Sequence, residues 1–142
     1  MNQVLAFAVL TAAVLMAPVA TAQSTGGQDR TAIQSVISRQ IDAFRRDDGP
    51  SAYAAASPGI QSIFPNIEIF MSMVAGGYAP VYRPKSFAFG PLVETPAGPI
   101  QRLFVVGPDG VAYLADYLME RQPDGAWKVN GVSIVRDDQP SI

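Results

Sequence analysis

The sequence predicts an α+β fold in which N-terminal helices pack on one face of a curved four-stranded antiparallel sheet. In the first half of the chain, apolar residues recur at spacings of three and four, which is typical of one-sided helices. After Pro84 the apolar residues alternate with a period of two, and turn sequences follow one another regularly. Helices followed by strands indicate segregated layers rather than alternating βα units.

Three helices are predicted before the first strand. The first begins at Thr31 and has an apolar face formed by Ile33, Val36, Ile37, Ile41 and Phe44. It is expected to end at Gly49, a residue that adopts the left-handed conformation easily, and Pro50 suits the first turn of a second helix, "PSAYAAAS". Asn66 is predicted to cap a third helix, "IEIFMSMVA", which Gly76 and Gly77 end.

Four strands are predicted as an antiparallel meander: "KSFAFGPLV", "IQRLFVV", "VAYLADYLMERQ" and "AWKVNGVSIVR". Pro-Asp-Gly separates two of the strand pairs, and this tripeptide suits a type I turn followed by a bulge. If Pro123–Gly125 form the last loop, Met119 faces Val129 and Glu120 faces Lys128. The inner face then carries Tyr113, Tyr117, Met119, Trp127 and Val129. A bulge at Asn130-Gly131 returns Val132 and Ile134 to that face.

The opposite face of the sheet is expected to be unusually apolar. A three-residue loop at Pro108–Gly110 places Phe104, Val106, Ala112, Leu114 and Leu118 away from the helices. In an alternative register, a two-residue turn at Pro108-Asp109 moves Phe104 inward and leaves Leu103 and Val105 outside. Exposed apolar patches usually form interfaces, so we expect a homodimer packed sheet to sheet, with Phe104, Leu114 and Leu118 in the interface.

Residues 1–22 are predicted to be a secretory signal peptide. An apolar run from Val4 to Met16 meets Pro18 and the small-residue site Ala20-Thr21-Ala22. The predicted signal peptide contains no Lys or Arg. The alternative is a buried N-terminal helix or an uncleaved membrane anchor, but Pro18 argues against both. We therefore expect a periplasmic or secreted protein without a membrane anchor after cleavage. A flexible leader (23–30), one domain (31–137) and a short tail (138–142) follow.

Composition excludes several kinds of chemistry. The chain has no Cys and no His, which excludes disulfides, thiol chemistry, Ser-His-Asp triads and the usual zinc sites. Ten basic and twelve acidic side chains are mixed along the chain, so nucleic acid is not expected as a partner. No phosphate-binding or dinucleotide motif occurs, and neither a cofactor nor a metal is expected.

Three segments carry a resemblance to known families: "AIQSVISRQIDAFRRDD", "MVAGGYAPVYRP" and "ADYLMERQPDGAWKVNGVSIVRD". The order of helices and meander resembles the nuclear transport factor 2-like (cystatin-like) superfamily. More closely, the span from Thr31 to Arg136 resembles a family of small exported bacterial proteins known as a domain of unknown function. The superfamily resemblance implies a cone-shaped pocket, which some members use for isomerase or dehydratase chemistry and others for binding or assembly.

The residues expected to line such a pocket are Phe70, Met73, Tyr113, Tyr117 and Trp127, with Tyr78, Tyr82 and Arg83 at its mouth. The alternative is that the aromatics are ordinary core residues and that Arg83 is a solvated loop charge. Asp116 and Glu120 share a face of one strand, as a catalytic pair of carboxylates would, but the register puts that face outside.

The function expected from the sequence is that of a non-catalytic exported module that binds a small apolar ligand or another protein. The alternatives are an isomerase or lyase that uses a buried carboxylate and a Tyr, and a dimeric structural assembly module. A buried carboxylate within hydrogen-bond reach of a Tyr hydroxyl in a roomy cavity would favour the enzyme, because burial raises a carboxylate pKa toward a useful range.

The signal-peptide hypothesis predicts that the mature protein begins at Gln23 and is found outside the cytoplasm. N-terminal sequencing of the protein from fractionated cells checks this prediction. Recovery of exported or membrane-bound protein that still begins at Met1 would contradict it.

Overall fold

The structure is a computed structural model that describes residues 26–138. Within this range the helices are α1 (Gly27–Arg45), α2 (Gly49–Ala54), α3 (Pro58–Ile63), α4 (Ile67–Gly77) and α5 (Ala79–Tyr82). The strands are β1 (Ser86–Thr95), β2 (Gly98–Val106), β3 (Ala112–Arg121) and β4 (Trp127–Arg136). They form one antiparallel sheet in the order β1-β2-β3-β4. The predicted α+β class and four-stranded meander are confirmed.

Helix α1 begins earlier than the sequence pattern predicts. Residues 27–30, assigned to the flexible leader, are helical. Asp29 lies in the first turn, where a negative charge is favourable, and its carboxylate is 3.9 Å from Arg121. These contacts explain how a stretch without apolar residues joins the helix. The predicted signal peptide, the rest of the leader and most of the tail lie outside the described residues.

Two short helices were not predicted, and both have a proline in the first turn. Pro58 follows the predicted second helix and is the first residue of α3. Ser57 caps α3 by accepting a hydrogen bond from the Ile60 amide at 3.2 Å. A proline at this position costs no hydrogen bond, because the first amides of a helix have no acceptor within the helix.

The turn between α1 and α2 corrects the predicted role of Gly49. Asp47, not Gly49, takes the left-handed conformation, with φ of 55°. Asp tolerates this conformation better than most residues, and its carboxylate accepts hydrogen bonds from Tyr82 and Arg83. Gly49 is the first residue of α2 instead. It is buried, and a Cβ there would lie 2.7 Å from Ile67.

The predicted strand register is confirmed. Met119 pairs with Val129 and Leu118 with Gly131, so Asn130 is the extra residue of a bulge. Phe104 pairs with Leu114, so the alternative register with Leu103 and Val105 outside is wrong. The two Pro-Asp-Gly turns share one device: the aspartate side chain accepts from the amide two residues on, at 3.0 Å for Asp109 and 2.9 Å for Asp124. The glycine that follows each aspartate has positive φ.

A second bulge lies in edge strand β1, where the pairing with β2 shifts between Phe89 and Leu92. Pro91 has no amide to donate, which is tolerated at a bulge of an edge strand. The Gly90 carbonyl accepts a hydrogen bond of 2.9 Å from the side chain of Gln101, a fully buried residue of β2. This buried amide therefore stabilises the irregular backbone of β1.

The core consists of two hydrophobic clusters that α1 joins. In the sheet cluster, Ile33, Ile37 and Ile41 of α1 pack with the inner-face residues of β2, β3 and β4. In the helical cluster, Phe44 of α1 packs with Phe70 and Val74 of α4 and with residues of α2. Between residues 26 and 138, no helix is both long and apolar enough to cross a membrane.

Candidate functional site

A partly open apolar cavity of about 190 Å³ lies where the two hydrophobic clusters meet. Helices α1, α3 and α4 form one side of its wall, and β3 and β4 form the other. The residues that line it are Gln40, Phe44, Ala56, Ile60, Phe64, Phe70, Met73, Val74, Tyr78, Val81, Tyr117, Val129, Gly131 and Val132. Among the described residues, this wall contains no charged side chain.

The irregular part of β4 forms one edge of the cavity. Gly131 and Val132 follow the bulged residue Asn130, and both contribute to the wall. The Ser57 hydroxyl donates to the Asn130 side-chain oxygen at 2.7 Å, which connects the cap of α3 with this bulge. A short parallel bridge between Ala56 and Val129 continues the connection. The bulge thus fixes α3 at the side of the cavity.

Of the pocket residues predicted from sequence, Phe70, Met73 and Tyr117 line this cavity, and so does Tyr78 from the predicted mouth. Tyr113 and Trp127 do not. Tyr113 lies near the start of β3, close to the Pro108–Gly110 turn, and its hydroxyl donates to Asp109 at 2.7 Å. This bond raises the pKa of the Tyr113 phenol and lowers that of the Asp109 carboxyl.

Trp127 lies against a different depression, a groove between α1, α2 and the turn from β3 to β4. The Trp127 side chain is only 8% exposed and packs in the sheet cluster. The Arg121 guanidinium lies over its ring, 5.6 Å from the ring centre. Trp127 is therefore a core residue that closes the sheet at the start of β4, and the cavity is formed further along that strand.

The remaining two mouth residues form an exposed polar cluster. The Asp47 carboxylate accepts a hydrogen bond of 2.7 Å from the Tyr82 hydroxyl and one of 2.6 Å from the Arg83 guanidinium. The bond from Arg83 is the main cause that lowers the pKa of Asp47, and the bond from Tyr82 is the next. Arg83 is thus already paired, and the cluster ties α5 to the turn after α1.

The Tyr117 hydroxyl has no hydrogen-bond partner among the described residues, although the side chain is fully buried. Burial without a partner raises the pKa of this phenol far above its ordinary value of 10.0. A buried polar group left unsatisfied costs about 1–3 kcal/mol. Tyr117 is thus a destabilising element in the wall of the cavity.

The two carboxylates considered for acid-base chemistry lie on the outer face. Asp116 accepts two hydrogen bonds from Arg102, at 2.9 and 3.0 Å. Glu120 accepts one from the side chain of Gln122 at 3.0 Å. Neither residue lines the cavity. In the described part of the chain, no group of three or more acidic side chains is arranged to hold a metal ion.

Sequence reasoning missed the residues that α1 and α3 contribute to the wall. Gln40 could have been found, because it lies on the apolar side of α1 between Ile37 and Phe44 and is only 4% exposed. Its side chain donates to the Ala52 carbonyl at 3.1 Å. Ile60 and Phe64 were missed because α3 itself was not predicted.

A family model described as "Domain of unknown function (DUF4864)" matches residues 27–142. No curated protein and no solved structure matches the chain.

We predict that Tyr117→Phe stabilises the protein by about 1 kcal/mol at pH 7, because it removes an unsatisfied hydroxyl. The raised pKa gives a second signature. Above pH 10 the phenol ionises in the unfolded chain but not in the folded one, so wild-type stability falls by up to about 1.4 kcal/mol per pH unit. The variant lacks this contribution.

Urea unfolding at pH 7 and pH 11 checks both expectations. Tyr113→Phe is the matched control at pH 7 only, since the hydrogen bond to Asp109 raises the pKa of the Tyr113 phenol as well. It removes a hydroxyl that is bonded to Asp109, so it should destabilise the protein at pH 7. A loss of stability in Tyr117→Phe at pH 7 would mean that the hydroxyl has a partner and would contradict the prediction.

Proposed function

We propose that this chain, which belongs to the family of the domain of unknown function DUF4864, is a non-catalytic module that binds a small apolar ligand. The observation that carries the proposal is the cavity of about 190 Å³ between the helical and sheet clusters. Its wall is formed by aliphatic and aromatic side chains with very few polar groups, which is the usual composition of small-molecule sites.

The size of the cavity supports a small ligand. A dry engineered cavity of about 150 Å³ binds benzene. The cavity of about 190 Å³ is of comparable size and is partly open to the surface, so a small apolar molecule can enter it.

The isomerase or lyase alternative has less support. That chemistry needs a carboxylate near the Tyr117 hydroxyl, and no acidic residue lines the described cavity. Asp116, the carboxylate next to Tyr117 in sequence, points to the opposite face, where it is bonded to Arg102. A hydroxyl with a raised pKa and no base beside it can donate a hydrogen bond but is poorly suited to transfer a proton.

The proposal includes the nuclear transport factor 2-like topology and export through a cleaved signal peptide. The order of five helices and a four-stranded meander within residues 26–138 is compatible with that topology. The apolar run near the N-terminus is the support for export. The ligand would then be a compound found in the periplasm or outside the cell.

Filling the cavity should abolish binding without loss of the fold. Toluene is a suitable probe, because it matches the cavity in size and forms no hydrogen bond. At about ten times its Kd it should stabilise the wild type by about 1.4 kcal/mol and raise Tm by roughly 5 °C. Val132→Phe places a ring in the wall and should remove this shift.

The matched control is Ile69→Phe, which introduces the same ring at a position of α4 that is 55% exposed and outside the cavity. It should retain the shift in Tm seen with the wild type. An equal shift in Val132→Phe, or no shift in the wild type at millimolar toluene, would contradict binding in this cavity.

A second candidate function, that of a dimeric assembly module, has its own support on the outer face of the sheet. Three adjacent cross-strand rows on this face are the apolar row Ala88-Phe104-Leu114-Val135, the polar row Arg102-Asp116-Ser133, and the apolar row Val93-Ile100-Leu118-Gly131. Phe104 is 46% exposed and Val135 is 56% exposed. Large exposed apolar side chains at these positions are typical of a protein–protein interface.

A second copy of this chain is the partner that we propose for that face. A two-fold axis through the polar row would place each apolar row of one copy on an apolar row of the other. Arg102 and Asp116 are bonded to each other, so their burial in such an interface leaves neither charge unpaired. We propose that Phe104, Leu114 and Leu118 lie in this interface.

We predict that the wild type dimerises in sedimentation equilibrium and that Leu114→Asp is monomeric, because the interface would bury the introduced charge, without a partner, against an apolar row of the other copy. Ile69→Asp is the matched control, since Ile69 is 55% exposed on α4, away from the sheet, and this variant should dimerise like the wild type. A wild type that stays monomeric at roughly 50 µM, where weak dimers form, would contradict the proposal.

A further inference from the structure

The groove between α1, α2 and the turn from β3 to β4 carries an excess of positive charge. Its volume is about 640 Å³. Within the described range, Arg39, Arg46 and Lys128 line it together with one acidic side chain, Asp42. Three of the ten basic side chains of the protein therefore lie at this groove with one of the twelve acidic ones, although the net charge of the whole chain is −2.

Two of these cations form no ion pair among residues 26–138. The Arg39 guanidinium donates from Nε to the Ser35 carbonyl at 3.4 Å, and the Lys128 ammonium donates to the Ala54 carbonyl. Both acceptors are neutral, so they do not compensate the positive charges. Each cation also has further N–H donors, since a guanidinium has five and an ammonium has three. Arg39 and Lys128 can therefore bind an anion in the groove.

The other two charges of the groove have partners of opposite sign. The Asp42 carboxylate lies 3.6 Å from the Arg45 guanidinium, and the Arg46 guanidinium lies 3.5 Å from the Asp48 carboxylate. The charge that an occupant meets therefore comes mainly from the two unpaired cations. Carboxylates suit such a site, because guanidinium and ammonium groups form their strongest hydrogen bonds with anions.

The shape of the groove favours an extended chain as the occupant. Along α1 its wall is a stripe of residues at helical spacing that runs from Ala32 to Asp42, a length of about 15 Å. A peptide in extended conformation covers that length with about five residues. The opposite wall consists largely of small residues, which leave room for a peptide backbone: Ser51, Ala54, Ala55, Gly125 and Ala126.

Other anions match the groove less well. Nucleic acid binds by the neutralisation of many phosphates, whereas the described groove offers two unpaired cations. The sequence that precedes α1 does not supply the anion either, because residues 1–25 contain no Asp or Glu. An acidic segment from another protein remains, and clusters of basic side chains are a common means of recognising such segments.

From the charge and the length of this groove we propose that it binds an extended acidic segment of another protein, about five residues long. Arg39 and Lys128 bind carboxylates of the segment, and its backbone lies along α1 beside Trp127. Among the described residues, the groove shares only Gln40 with the apolar cavity, so this site does not depend on the function proposed for the cavity.

Two terminally blocked peptides test the proposal: Glu-Ala-Glu-Ala-Glu-Ala, and the same peptide with Gln in place of each Glu. Titration calorimetry at low ionic strength, where exposed charges are screened least, gives the affinities. The fluorescence of Trp127, the only tryptophan of the chain, reports occupation of the groove. We expect the wild type to bind the Glu peptide with a change in this fluorescence and not to bind the Gln peptide. Arg39→Ala should weaken binding by up to about fivefold, the value of one exposed ion pair.

The matched control is Arg30→Ala, because Arg30 is an exposed arginine of the same helix that does not line the groove. This variant should bind the Glu peptide like the wild type. The proposal is wrong if the wild type does not bind the Glu peptide at millimolar concentration, binds the Gln peptide equally well, or binds without a fluorescence change. Unchanged affinity in Arg39→Ala would also contradict it. If free glutarate, which has carboxylates but no peptide backbone, binds as tightly as the Glu peptide, the peptide proposal is rejected in favour of a site for small carboxylates.

Discussion

The packing of three isoleucines of α1 against the inner face of the sheet supports every other feature of this structure. Ile33, Ile37 and Ile41 are completely buried and lie in one cluster with residues of β2, β3 and β4. Neither layer is stable by itself, since a one-sided helix and a one-sided sheet must each cover their apolar face. The remaining helices are arranged around the end of α1, where Phe44 continues the same stripe into the helical cluster.

The cavity follows from the way in which α1 connects the two clusters. A helix is a nearly straight rod, whereas a sheet with bulges twists and bends, so the two surfaces separate along their length. The bulge at Asn130 is the place where β4 deviates beside the cavity, since Gly131 and Val132 line it. Helices α3 and α4 line the opposite side.

The two faces of the sheet differ in how their polar groups are satisfied. On the outer face, Asp116 and Arg102 satisfy each other. On the inner face, Gln101 is satisfied by the bulge of β1, while Tyr117 has no partner in the described chain. An outer face without an unpaired charge in its polar row suits a protein partner.

The sequence by itself determined the class of fold, the four strands, their register and the bulge at Asn130-Gly131. These features depend on local signals, namely the period of apolar residues and the Pro-Asp-Gly turns, which act over a few neighbouring residues. Only the tertiary structure decided that Tyr117 lines the cavity while Trp127 closes the core, although both belong to the same face. It also decided that Arg83 is paired with Asp47 and that α3 forms part of the wall. Such outcomes depend on residues far apart in the chain, whose distances are set by the packing of α1 and not by any local pattern.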